Sequence, residues 1–98
     1  MMANSTEIQD LEDLQQHVYQ TLCDLNELEV GAFPMNERIL VRGGKPCGMY
    51  FCLHGPRSVT FTAIWETDRN SVLFYGSTGE RMAKAQLTHA PQLAPVAA

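Results

Sequence analysis

The stretch CGMYFCLHGPRSVTFTAIWETDRNSVLFYG, residues 47–76, decides the fold. Three runs rich in β-branched and aromatic residues, 47–54, 58–66 and 71–76, are separated by the turn formers Gly55-Pro56-Arg57 and Thr67-Asp68-Arg69-Asn70. Such spacing predicts consecutive antiparallel strands joined by short turns. Parity tests the register, because a slip of one residue sends a strand's whole apolar set to the opposite face. Met49, Phe51 and Leu53 share a face with Val59, Phe61, Ala63 and Trp65 only across a loop of odd length, and Gly55-Pro56-Arg57 supplies three residues. Trp65 and Ala63 then face Val72 and Phe74 only across an even loop, and residues 67–70 supply four. Both conditions are met.

Working outward, RILVRG at 38–43 adds a strand that turns back at GGKP, with either Ile39 and Val41 or Leu40 on the apolar face. Downstream, ERMAKAQL at 80–87 is compatible with two structures. Its residues favour helix, yet Thr78-Gly79 suits a hairpin turn, and a fifth strand would place Ala83, Ala85 and Leu87 beside Phe74 and Val72. Upstream, apolar residues recur at 8, 11, 14, 18, 22, 25 and 28, the stripe of an amphipathic helix over about 5–28. Asn4 and Glu7 have capping-box spacing, Ser5 and Thr6 are alternative caps, and Gly31 with Pro34 marks the stop. His17 falls on the flank of the stripe and Cys23 far from it, at ~100° per residue. The expected fold is α+β: an N-terminal amphipathic helix packed on one face of a four- or five-stranded antiparallel meander. It forms a single domain over 1–88, with the sheet at about 38–87 and a flexible Pro- and Ala-rich tail over 89–98.

Charge divides along the chain. Residues 1–37 hold eight carboxylates and no Lys or Arg, while all seven basic residues follow, from Arg38 to Lys84. An acidic helix solvated beside a mildly basic sheet accounts for this, and the spread of the basic residues over separate turns argues against nucleic acid as a partner. The N-terminus lacks the basic start and apolar run of a secretory signal, and three cysteines are an odd count, so a reducing cytoplasm is expected. No run approaches the ~20 apolar residues of a membrane span.

Residues 45–55, KPCGMYFCLHG, place Cys47, Cys52 and His54 within one strand. Alternation points Cys52 and His54 to one side and Cys47 to the other, so closure around one zinc would need a bulge and a fourth ligand. A Cys52–His54 nucleophile pair is about 7 Å apart at the ~3.3 Å strand rise, beyond hydrogen-bond reach. Gly43-Gly44-Lys45 lacks the rest of a phosphate loop and reads as a hairpin turn. No motif implies a metal or cofactor, and no residue set has catalytic spacing.

The run NERILVRGGKPCGMYFCLHGPRSVTFTAIWETDRNSVLFYGSTGER, residues 36–81, resembles small uncharacterised proteins of planctomycete bacteria through RGGKPCG, HGPR, AIWE and LFYGSTGER. That resemblance implies no activity.

The far face of the sheet carries what remains. The loop lengths place Tyr50, Thr62, Tyr75 and Met82 in one row, Cys52, Thr60 and Ser77 in the next, and Ile64 beside Leu73. This is too apolar for a wet sheet face, and one helix cannot cover two sides. The expected function is therefore a small non-catalytic binding or assembly module whose outer face docks a protein partner, a second copy or a small ligand. Tyr50, Thr62, Ile64, Leu73 and Tyr75 form its centre, Cys52 and His54 lie toward one edge, and Arg42, Arg57 and Arg81 stand as rim charges. The alternatives are a thiol- or metal-dependent enzyme or sensor at the Cys/His edge, and a weak nucleic-acid binder.

Overall fold

A computed structural model describes residues 5–6, 8–89 and 91. In chain order the elements are β1 (Ser5–Thr6), α1 (Leu11–Leu25), β2 (Met35–Arg42), β3 (Lys45–His54), β4 (Thr60–Glu66), β5 (Ser71–Tyr75) and β6 (Arg81–Leu87). Strands β2 to β6 form an antiparallel meander, and β1 adds two residues parallel to β6, giving the order β1-β6-β5-β4-β3-β2. The α+β expectation holds, and residues 80–87 resolve as strand. No helix among the described residues is long and apolar enough to cross a membrane.

The helix starts later than its periodicity suggests. Ser5 and Thr6 are extended, and the Asn4–Glu7 capping pair lies outside the described residues. Asp10 is the cap instead: its carboxylate accepts from the Asp13 N–H at 2.9 Å, and the Asp13 carboxylate accepts from the Gln9 N–H at 3.2 Å. These carboxylates also complement the positive end of the helix dipole. Ile8 keeps its place in the apolar stripe because it enters the core as extended chain just ahead of the cap.

At the other end, the Leu28 N–H reaches back to the Cys23 carbonyl at 2.8 Å and the Glu27 N–H to that of Asp24 at 3.4 Å, with Glu27 at φ 56°. This is a Schellman stop in which glutamate occupies the left-handed position glycine usually fills. The following segment turns back along the helix flank. The Tyr19 hydroxyl donates to the Phe33 carbonyl at 2.7 Å and accepts from the Gly31 N–H at 2.8 Å.

Helix α1 packs on β3 and β4. Leu14, Val18 and Leu22 meet Met49, Phe51, Leu53, Phe61, Ala63, Trp65, Val72 and Phe74, all buried. Parity therefore delivered the inner face correctly, and Ala83, Ala85 and Leu87 join it. The buried indole of Trp65 donates to the Asn70 side-chain oxygen at 3.0 Å, and Asn70 in turn accepts from the Leu87 N–H at 3.0 Å. One turn thus satisfies the tryptophan and anchors the end of β6.

Two helix residues are placed differently from expectation. Cys23 is fully buried, on the Tyr19 side of the helix, where the returning segment widens the apolar stripe. His17 is half-buried, its ring edge-on to Phe74 at 6.5 Å between centroids. In the segment read as a tail, His89 is exposed and Pro91 is buried; residues 90 and 92–98 lie outside the described set.

Candidate functional site

The outer face is built by alternation from β2 to β6. Tyr50, Ile64, Leu73 and Lys84 oppose one another in one row, and Cys52, Thr62 and Tyr75 in the next. This corrects the expected rows, which set Tyr50 against Thr62 and Cys52 against Thr60. The β3–β4 connection uses five residues, 55–59, including a 3-10 turn at Pro56–Ser58, rather than three. A change of two residues preserves the face and moves the row. At the β5–β6 turn, a bulge beside Tyr75 sets it against Arg81, and Met82 is exposed.

Tyr50, Cys52, Thr62, Ile64, Leu73 and Tyr75 are all partly exposed, and the α-helix lies on the other side. His54, at the end of β3 opposite Thr60, is exposed. The seven residues singled out from sequence therefore share one face.

Strand β2 completes this face in a way the sequence left open. Its pairing Arg38↔Tyr50 and Asn36↔Cys52 puts Asn36, Arg38 and Leu40 outward, and Ile39 inward opposite Met49. The Arg38 guanidinium carbon sits 5.3 Å from the centre of the Tyr50 ring, within cation–π range. The Asn36 amide nitrogen lies 3.0 Å from His54 Nε2. Asn36, Arg38, Tyr50, Cys52 and His54 thereby line a shallow hollow of about 310 Å³. Burial and the neighbouring Cys52 push the Tyr50 phenol up from its ordinary value, and Arg38 partly offsets them. Tyr50 is consequently a neutral hydroxyl at physiological pH, able to donate and accept hydrogen bonds.

A second hollow, of about 320 Å³, opens where β3 is irregular. A bulge between Leu40 and Val41 leaves Cys47 as the extra residue of β3. Strict alternation, which would send Cys47 and Cys52 to opposite faces, is broken there, and Cys47 lines this hollow with Leu40, Arg42, Ile64 and Glu66. Gly48 is required beside it: a Cβ at that position would stand 2.1 Å from the Trp65 carbonyl oxygen.

Among the described residues, no three His, Cys, Asp or Glu side chains converge as metal ligands. The nearest ring partner of His54 is Asn36, not Cys52. Gly43 and Gly44, at φ 58° and 78°, form the two-residue hairpin turn between Arg42 and Lys45. Of the expected rim charges, Arg42 borders the second hollow and Arg81 opposes Tyr75, while Arg57 sits in the turn after β3 at φ 59°. Arg38, which stacks over Tyr50, was missed. Its signal was present in the alternation of β2, but Ile39, Leu40 and Val41 in succession hid which parity faced out.

Compared with protein-family models, with curated proteins and with solved structures, the chain matches none.

Proposed function

We propose that this protein is a non-catalytic binding or assembly module that engages a protein partner through the outer face of its sheet. The observation that carries this reading is the partly exposed row Tyr50, Ile64 and Leu73, on the side of the sheet away from the α-helix. Aromatic and aliphatic side chains of this kind form the desolvated centre of protein interfaces, and Arg38, Asn36 and His54 supply polar groups at the rim that orient a partner. Nothing in the Cys/His edge has the geometry of a nucleophile with its base, so binding accounts for the surface with fewer assumptions than catalysis.

The test is site-specific photo-cross-linking in host cells. A photoreactive residue replacing Thr62, at the centre of the face, is expected to trap a discrete partner, and Leu73→Glu to abolish the adduct. The same probe at exposed Gln20 on the helix should trap none. Equal trapping from both positions, or adducts indifferent to Leu73→Glu, would contradict the proposal.

A further inference from the structure

Strand β2 is the edge of the sheet opposite β1, and no described segment pairs with its outer side. It is eight residues long, contains no proline or lysine, and exposes Ile39 and Val41 at 43% and 62%. Native edges are blunted by charged side chains, proline, bulges or a covering segment; β2 carries the charges Glu37, Arg38 and Arg42, and the bulge beside it lies on β3, so its own outer side stays regular and uncovered by any described segment. The hydrogen bonds show which groups are free. The His54 N–H donates to the Pro34 carbonyl at 2.9 Å, so alternation turns the even-numbered residues of β2 toward β3. The backbone N–H and C=O groups of Met35, Glu37 and Ile39 therefore point away from the sheet.

We infer that the occupant of this edge is a second copy of the chain, joined β2 to β2 in antiparallel fashion with Ile39 opposite Ile39 of the copy. A two-fold axis normal to the sheet is the symmetry that adds an edge to its own copy antiparallel. It pairs residues equidistant from the axis and keeps both helices on one side. Among the registers that overlap five or more residues of β2, charge then selects one, because like charges directly opposite one another are destabilising. Centring on Glu37 opposes that carboxylate with itself, centring on Arg38 opposes two guanidinium groups, and centring on Leu40 sets Arg38 against Arg42. Centring on Ile39 opposes no like charges: Arg38 meets Leu40, Glu37 meets Val41 and Asn36 meets Arg42. The free N–H and C=O of Ile39 then bond reciprocally across the axis. The product is one continuous sheet with the two outer faces side by side, a doubled docking surface for the function proposed above.

Sedimentation of the full chain tests this. The wild type is expected to be a dimer. Ile39→Lys and Ile39→Asp should each weaken self-association by about tenfold or more, and an equimolar mixture of the two should restore a dimer. Val41→Lys, placed opposite Glu37, should retain the dimer, whereas Val41→Glu should weaken it; this pair supplies the same test if either Ile39 variant fails to fold. Leu73→Glu, on the outer face, should leave the mass unchanged, which separates this interface from the docking surface. A monomeric wild type, dimers indifferent to the Ile39 and Val41 substitutions, or a mixture that stays monomeric would overturn the inference.

Discussion

Both faces of the sheet carry apolar side chains, more of them on the inner face, and the two meet different environments. On the inner face, Phe51, Trp65, Val72 and Phe74 are sealed beneath Leu14, Val18 and Leu22 of the helix. On the outer face, Tyr50, Ile64, Leu73 and Tyr75 remain partly exposed. Hydrophobic residues in a strand therefore report that a surface is covered by something, not that the chain itself covers it. One fifteen-residue helix shields one side of this meander and touches the inner side of β2 only toward its start, where Gln15 donates to Glu37, leaving Ile39 and Val41 exposed.

The contrast predicts asymmetric costs of truncation. Phe51→Ala or Trp65→Ala should lower unfolding free energy in urea by about 3–5 kcal/mol, through lost burial and the cavity left behind. Leu73→Ala and Ile64→Ala should cost less, about 1–2 kcal/mol, since both side chains are already partly in water and no segment packs over them to leave a closed cavity. Equal losses on both faces would break the distinction. Gly48 sharpens it, being an outward-facing position that is buried. Gly48→Ala should cost about 1–3 kcal/mol despite adding a single methyl group, because the Cβ collides with β4 backbone rather than a movable side chain.

The acid response should come partly from the inner face. Burial against Phe74 lowers the His17 pKa below its ordinary value of 6.5, so the folded state favours the neutral ring. Stability is then unaffected by this residue above pH 6.5, and falls as pH drops below 6.5, where the unfolded chain takes up the proton first. His17→Gln should flatten that part of a denaturation-versus-pH profile; an unchanged slope would show that His17 does not titrate with folding. The smallest effect belongs to the outer rim. Arg38→Ala removes the cation that holds the Tyr50 phenol down, so the Tyr50 pKa should rise further in an ultraviolet titration. The accompanying stability change should stay within about 1 kcal/mol, as for an exposed cation–π pair.

How far these features were legible in the sequence depends on what a strand's periodicity encodes. Alternation has a period of two, so it identifies the face and is blind to shifts of two. Phe51 was therefore placed correctly, while Tyr50 was set against Thr62 instead of Ile64, because the chain takes two extra residues around Pro56–Ser58. The bulge at Cys47 and the parity of β2 were illegible for a related reason, since three apolar residues in a row satisfy either face. The helix start was overextended because Ile8 fits a helical stripe by spacing while reaching the core from extended chain. Cys23 was misjudged because the segment after the helix, whose Leu28 and Phe33 pack against the core, extends the apolar side of the helix beyond the stripe that helical geometry alone contains.

Hydroxyl-radical footprinting at a concentration where the protein is monomeric tests the central claim most directly. Tyr50, Ile64, Leu73 and Tyr75 are expected to oxidise measurably, at a fraction of their rates in the denatured chain, while Phe51, Trp65 and Phe74 stay protected. Protection of Tyr50 and Tyr75 as complete as that of Trp65 would mean that the chain seals both sides of its own sheet, and the docking surface proposed here would not exist.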